Sequence, residues 1–483
     1  MTTFTTPTRH TDRTAGLHYV ESPVRQRTVL SCGSWRRVTR RIVCGLTCAL
    51  TVSSLLMPSI SFAAEWVEVD GAHYTAGATA GDGSTWAWDG ADDMTLNGYN
   101  GGYIAAGGKL NVSYEGNNTV ANEYGDGISV ENGTNESAEL NISGTGTLTA
   151  TAEGNAIYSQ DDMTISGTGA VTAKSGSGEG IVAEETLTVS NSTLTAQGFG
   201  SGIHAFDGLT IDAATVRAYA YPAREDSPTA IFTDEGDITI KNGSFVHAYA
   251  EGENASGIYS YNYDTGSPGG RIFISDSTVE AIAHYINHDG GNQPLPPICN
   301  GDFVVVDPDV NARTYGIFAL TEDGLTPATI SITRSRVTAE GDTAAILAVV
   351  NSADGSIAGT INIVDSIIET PNGGRICDVR FVDTEPADAP YQRGQTIGTA
   401  NDVITDLYSD AIAKRAVIVP VETPQAKPES KPKVTTAAAT IKHVDTKDAL
   451  AATGDASAMG AVAAAITGVV AIVAGIFTSR KRS

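Results

Sequence analysis

Cysteine is nearly missing from this chain, with five in 483 residues and three of those before residue 50. That excludes a disulfide-dense scaffold and any paired CxxC zinc site. Basic residues are scarce as well: 30 Lys and Arg stand against 56 Asp and Glu, a net charge of −26. Eight arginines against Asp12 and Glu21 give residues 1–63 a charge of +6, so the rest of the chain carries −32. A surface so acidic repels nucleic acid and anionic lipid, which leaves no nucleic-acid partner. Between Glu65 and Val419 no helical periodicity is sustained, and HExxH, GxSxG and P-loop motifs are absent. Long apolar runs occur only at the two ends.

At the front, Arg36, Arg37, Arg40 and Arg41 precede "IVCGLTCALTVSSLLM", Pro58 and "SFAAEW". A charged region, an apolar region and a small-residue cleavage site in that order predict a signal peptide with a long leader over 1–63, cut after Ala63 or Ala64. An uncleaved signal anchor is the alternative. Cys299 and Cys377 then remain in an exported chain, where they form a candidate disulfide.

At the back, "LAATGD" precedes an uncharged stretch from Met459 to Phe477, and Arg480, Lys481 and Arg482 follow. As a helix that stretch is roughly 28 Å long, enough to cross a bilayer with its basic tip kept inside. Leu450, Ala451, Ala452, Thr453 and Gly454, in register with the span and tip, resemble the LAxTG variant of the wall-sorting signal of Gram-positive surface proteins. The resemblance implies that a sortase cysteine attacks the Thr453 carbonyl, that Gly454 onward leaves, and that Thr453 is joined to peptidoglycan. The membrane is then touched only through the span at 459–477, before sorting. A permanent single-pass anchor is the competing reading.

The body repeats. "LNISGTGTLTATA", "MTISGTGAVTAKS", "LTVSNSTLTAQG" and "LTIDAATVRAYA" open a series that aligns on Leu148, Val171, Leu194, Val216, Val246, Val279, Val337 and Ile368. The steps run from 22 to 33 residues except for one of 58, which holds an insertion at 284–313. A second file passes through Ile128, Ile157, Ile181, Ile203, Ile231, Ile258, Ile317 and Ile346. Units of this size bury their apolar faces only by stacking on one another, with aliphatics alternating inward. The expected fold is all-β: a single-stranded, right-handed parallel β-helix, a solenoid of about ten coils. A β-sandwich is the rival. Small residues such as Gly146, Gly169, Ser192, Ser277 and Ser335 suit tight corners.

The expected organisation is an N-terminal cap and first coil over 64–105, with Trp66, Trp86 and Trp88 as the lid, and a helix body over 106–400. A C-terminal cap of short helix and strand follows over 401–419, then a Pro/Lys/Ala stalk over 420–449 and the sorting signal over 450–483.

Outward positions beside the first file bring Arg217, Tyr219, His247, Tyr249 and Glu280 onto neighbouring coils. Rings beside a cation, an imidazole and a carboxylate suit sugars, which lay apolar faces on rings and offer hydroxyls to polar groups. An exposed strand face stabilised by its own rings is the plainer alternative. Tyr259, Tyr261 and Tyr263 form a weaker second candidate, and His204 is expected at the surface. No clustered acidic pair suggests catalysis.

Through "LNISGTGTLTA" and "GDGI", residues 85–370 resemble bacterial carbohydrate-binding β-helix domains of extracellular proteins. The resemblance implies binding of acidic polysaccharide with calcium, the one cofactor it suggests. The expectation is a wall-anchored, adhesin-like surface protein of a Gram-positive bacterium, non-catalytic, whose partners are sortase, peptidoglycan and an extracellular glycan or host surface. A polysaccharide lyase or hydrolase and a passive spacer are the alternatives.

Overall fold

The computed structural model describes residues 63–421 except 135–136, 223–226, 263–268, 286–297, 300–302, 307–313, 322–325, 351–356, 383–395 and 406–411. The leader, the stalk, the sorting signal and the span at 459–477 lie outside the described residues. No helix among the described residues is long and apolar enough to cross a membrane.

Among the described residues every regular element is a strand, and these strands form three long, mainly parallel sheets of 15, 12 and 11 strands. The chain visits them in turn. Ile128–Glu131 lies in the first sheet, Leu140–Gly144 in the second and Thr147–Ala152 in the third, before Ile157–Ser159 returns to the first. This is a β-helix. Eight windings, from the one beginning at Ile104–Gly107 to the one ending at Arg336–Gly341, place a strand in all three sheets in parallel register.

The aliphatic files are the physical cause. Ile128, Ile157, Ile181, Ile203, Ile231, Ile258, Ile317 and Ile346 pair in unbroken register, and all are fully buried. Ile104 extends the file by one coil. In the second sheet Ile142, Ile165, Val189, Ile211, Ile240, Ile274 and Ile332 do the same. A fully buried aliphatic contributes about 1.5–3 kcal/mol, and each file renews that gain at every winding.

The first expected file holds from Leu148 to Val337, and Val279 pairs directly with Val337 across the 58-residue step. It then departs from expectation. Val337 pairs with Ile418, because Arg415–Pro420 enters antiparallel between Arg336–Gly341 and Ser366–Thr370. Ile368 therefore sits one strand further out. The same strand corrects the C-terminal cap: its described parts are the strands Thr396–Thr405 and Arg415–Pro420, where a short helix was expected to open it. At the other end Trp66–Val69 runs antiparallel to Ile104–Gly107, so antiparallel strands close the first sheet at both ends.

The corners are also differently made. The left-handed residue between second and third sheets is Asn191, Ala213, Asn242, Asp276, Arg334 or Asp365 in successive coils, with φ between 45° and 59°. Asn and Asp tolerate that region better than other side chains. Ser277 and Ser335 come one residue later and are buried; the Ser277 amide donates to Ser335 Oγ at 3.1 Å. Gly169 is small for another reason, since a Cβ there would lie 2.6 Å from the Tyr114 hydroxyl.

Ile298–Cys299 and Phe303–Val306, within the insertion, pair with each other, and the latter pairs with Arg375–Val382. Phe303–Val306 thus separates the strands of Cys299 and Cys377. Two strand spacings are about 9.5 Å, beyond the Cα range of a disulfide. Cys377 is a free, buried thiol with Sγ 3.0 Å from Thr405 Oγ1, and the Cys299 side chain lies outside the described residues.

Candidate functional site

Two outer faces carry aromatic side chains, and their geometry separates them. On the first sheet, His204, Phe232, Tyr259 and Phe318 are register partners on successive coils. Phe232 and Tyr259 stack with centroids 5.2 Å apart at 25°, and Tyr259 and Phe318 at 4.9 Å and 14°. Near-parallel rings in such a file cover one another's faces and turn their edges outward. A sugar needs a ring face, so this file is a stabilising stack. Tyr261 adjoins it, 5.9 Å from Tyr259, whereas Tyr263 lies outside the described residues.

His204 ends that stack and is buried, 9% exposed, where a surface position was expected. Its ring lies between Phe206 at 4.4 Å and Phe232 at 4.7 Å. Nδ1 meets Glu179 at 3.1 Å and Nε2 meets Asp234 at 3.1 Å. Burial opposes the charge, but Glu179 and the hydrogen bond to Asp234 outweigh it and push the imidazole up to about 9. His204 is thus a paired cation fastening three coils.

The third sheet differs. The strands Thr215–Tyr221 and Phe245–Glu251 alternate strictly, with Val216, Ala218, Ala220 and Val246, Ala248, Ala250 inward. Their outward neighbours fall into register as the sequence indicates: Arg217 beside His247, Tyr219 beside Tyr249, and His247 beside Glu280. His247 Nδ1 lies 2.8 Å from Glu280 Oε2. Tyr219 stands at 56° to the His247 ring, 5.7 Å away, and Tyr249 at 68° to His284, 5.8 Å away. These rings are tilted, so they do not cover each other's faces. Burial first, with Glu251 alongside, raises the Tyr249 phenol above its ordinary value and keeps it a neutral donor.

Three aromatics of this face escaped the sequence reading. Phe199 and Phe245, 37% and 38% exposed, flank the patch, and Tyr221 pairs with Phe199. Arg217 lies over the Phe245 ring at 5.8 Å. The alternation that located Arg217 and Tyr219 reaches all three if it is followed two residues further each way.

On this face Glu280 Oε2 is engaged by His247, and Glu251 lies beside Tyr249. Among the described residues, one group of three acidic side chains brings its oxygens within 4.8 Å: Asp89, Asp92 and Asp93. It lies near the N-terminal end, and Asp89 Oδ1 already accepts the Ala91 and Asp93 amides.

A family model described as carbohydrate-binding domain-containing protein matches residues 103–366, more than half of the chain, and the chain belongs to that family. No curated protein and no solved structure matches it. Membership makes carbohydrate the indicated class of ligand. The third-sheet patch lies within the matched residues, whereas Asp89, Asp92 and Asp93 lie outside them.

Proposed function

We propose that the protein is a non-catalytic glycan-binding β-helix displayed on the cell surface, with the third sheet as its binding face. One observation carries this reading: the tilted rings of Tyr219 and Tyr249 flank the His247–Glu280 pair, with Arg217 and Phe245 alongside. Such a platform offers ring faces for the apolar side of a sugar and fixed polar groups for its hydroxyls. A glycan array with and without calcium is the test. Binding that persists without calcium and disappears in the double variant Tyr219→Ala/Tyr249→Ala supports the face; a signal untouched by that variant removes it.

Display on the wall is supported by "LAATG", the apolar stretch at 459–477 and the basic tip, in register. By this reading a sortase joins Thr453 to peptidoglycan and the protein acts as an adhesin. Mass analysis of wall digests should find a peptide ending at Thr453. A chain recovered intact to Ser483 from the membrane fraction would establish a permanent anchor instead.

A further inference from the structure

We infer that Arg217 and His247 together read a vicinal pair of sugar hydroxyls, and that Glu280 and Phe245 are the positioning residues that hold them for it. This rests on the third sheet being the glycan face.

Glu280 Oε2 lies 2.8 Å from His247 Nδ1, and a carboxylate only accepts, so Nδ1 carries a proton and the neutral tautomer of the ring leaves Nε2 as an acceptor. Arg217 supplies the opposite chemistry. It makes no hydrogen bond or ion pair among the described residues; its guanidinium is placed over the Phe245 ring at 5.8 Å. Its donors are unspent in a chain where Lys109, Lys241, Arg271 and Arg334 are all paired with carboxylates. Arg217 and His247 are register partners on adjacent strands, about 4.8 Å apart at the backbone.

A donor and an acceptor carried on adjacent strands of one outer face suit two neighbouring hydroxyls, one accepting from Arg217 and the next donating to Nε2. The Tyr219 ring, 5.7 Å from His247, is placed to take the apolar face of the same sugar. A ligand carboxylate at Nε2 would meet a lone pair with the Glu280 charge behind it. The ligand class is therefore a neutral sugar with a free vicinal diol. Glu280 orients His247 before binding, which lowers the entropy lost on association.

Periodate tests this directly, because it cleaves the carbon–carbon bond of a vicinal diol. Mannan, galactan and xylan would each be immobilised before and after periodate oxidation and borohydride reduction, and probed with the wild-type protein. At least about a tenfold loss after oxidation is expected for those bound beforehand. Glu280→Ala should cost about tenfold in affinity, whereas Glu280→Gln, which keeps an accepting oxygen, should stay within about threefold. Nitrogen NMR of His247 should show a proton on Nδ1 in wild type and its loss from that site in Glu280→Ala. Binding that survives oxidation overturns the diol assignment while leaving the glycan face standing. Binding to none of the three polysaccharides before oxidation counts against both.

Discussion

Val337 faces Ile418 across an antiparallel pair, although Ile368 is the residue that continues its file in the repeat. Ile418 is fully buried between the two strands, and Arg415 reaches Glu340 at 3.6 Å. Ile418→Ala should destabilise the C-terminal end by about 2–4 kcal/mol. Hydrogen exchange would then quicken in Arg336–Gly341 and Ser366–Thr370 before the central coils. Equal exchange in both regions would contradict the inserted strand.

The His204 imidazole, raised from 6.5 to about 9 in the fold, ties stability to pH. A raised pKa means the folded state holds the proton more tightly, so the stabilisation is complete below about pH 6.5 and is lost as pH rises through about 9. Its size is on the order of 3 kcal/mol. Urea midpoints measured from pH 6 to pH 10 should fall for the wild type. In His204→Gln the fall should be shallower; identical slopes would remove the linkage.

The two aromatic faces should respond in opposite ways to truncation. Tyr259→Ala breaks a stack between Phe232 and Phe318, so it should lower stability by about 1–3 kcal/mol and leave glycan binding unchanged. Tyr219→Ala should do the reverse. Paired thermal melts and array signals on both variants decide the matter, and loss of binding in Tyr259→Ala would reassign the site.

Tyr114 offers a test of the core. Its hydroxyl is buried with no hydrogen-bond partner among the described residues, and burial raises its pKa. Tyr114→Phe removes an unsatisfied group and should be neutral or stabilising by up to about 1 kcal/mol. Gly169→Ala, whose Cβ would meet that hydroxyl at 2.6 Å and the Gly146 carbonyl at 2.8 Å, should cost about 1–3 kcal/mol. Chemical denaturation measures both.

Much of this was legible in the chain because strand alternation and stacking act locally and repeat. The isoleucine file from Ile128 to Ile346 and the register of Arg217 with His247 follow from spacing alone. His204 was misplaced because alternation reports which side of a strand a residue takes, not what later covers that side. Glu179 and Asp234 come from neighbouring coils, 25 and 30 residues away. Nothing in the spacing announces that the strand Phe303–Val306 lies between those of Cys299 and Cys377.

The sequence by itself determined the repeat, the inward files and the outward patch, because each coil buries its aliphatics against a near copy of itself. Only the tertiary structure decided how the rod closes, through Arg415–Pro420, and which aromatic face keeps its rings uncovered. Those outcomes depend on ring tilt and on non-repeating segments, and neither leaves a period in the chain.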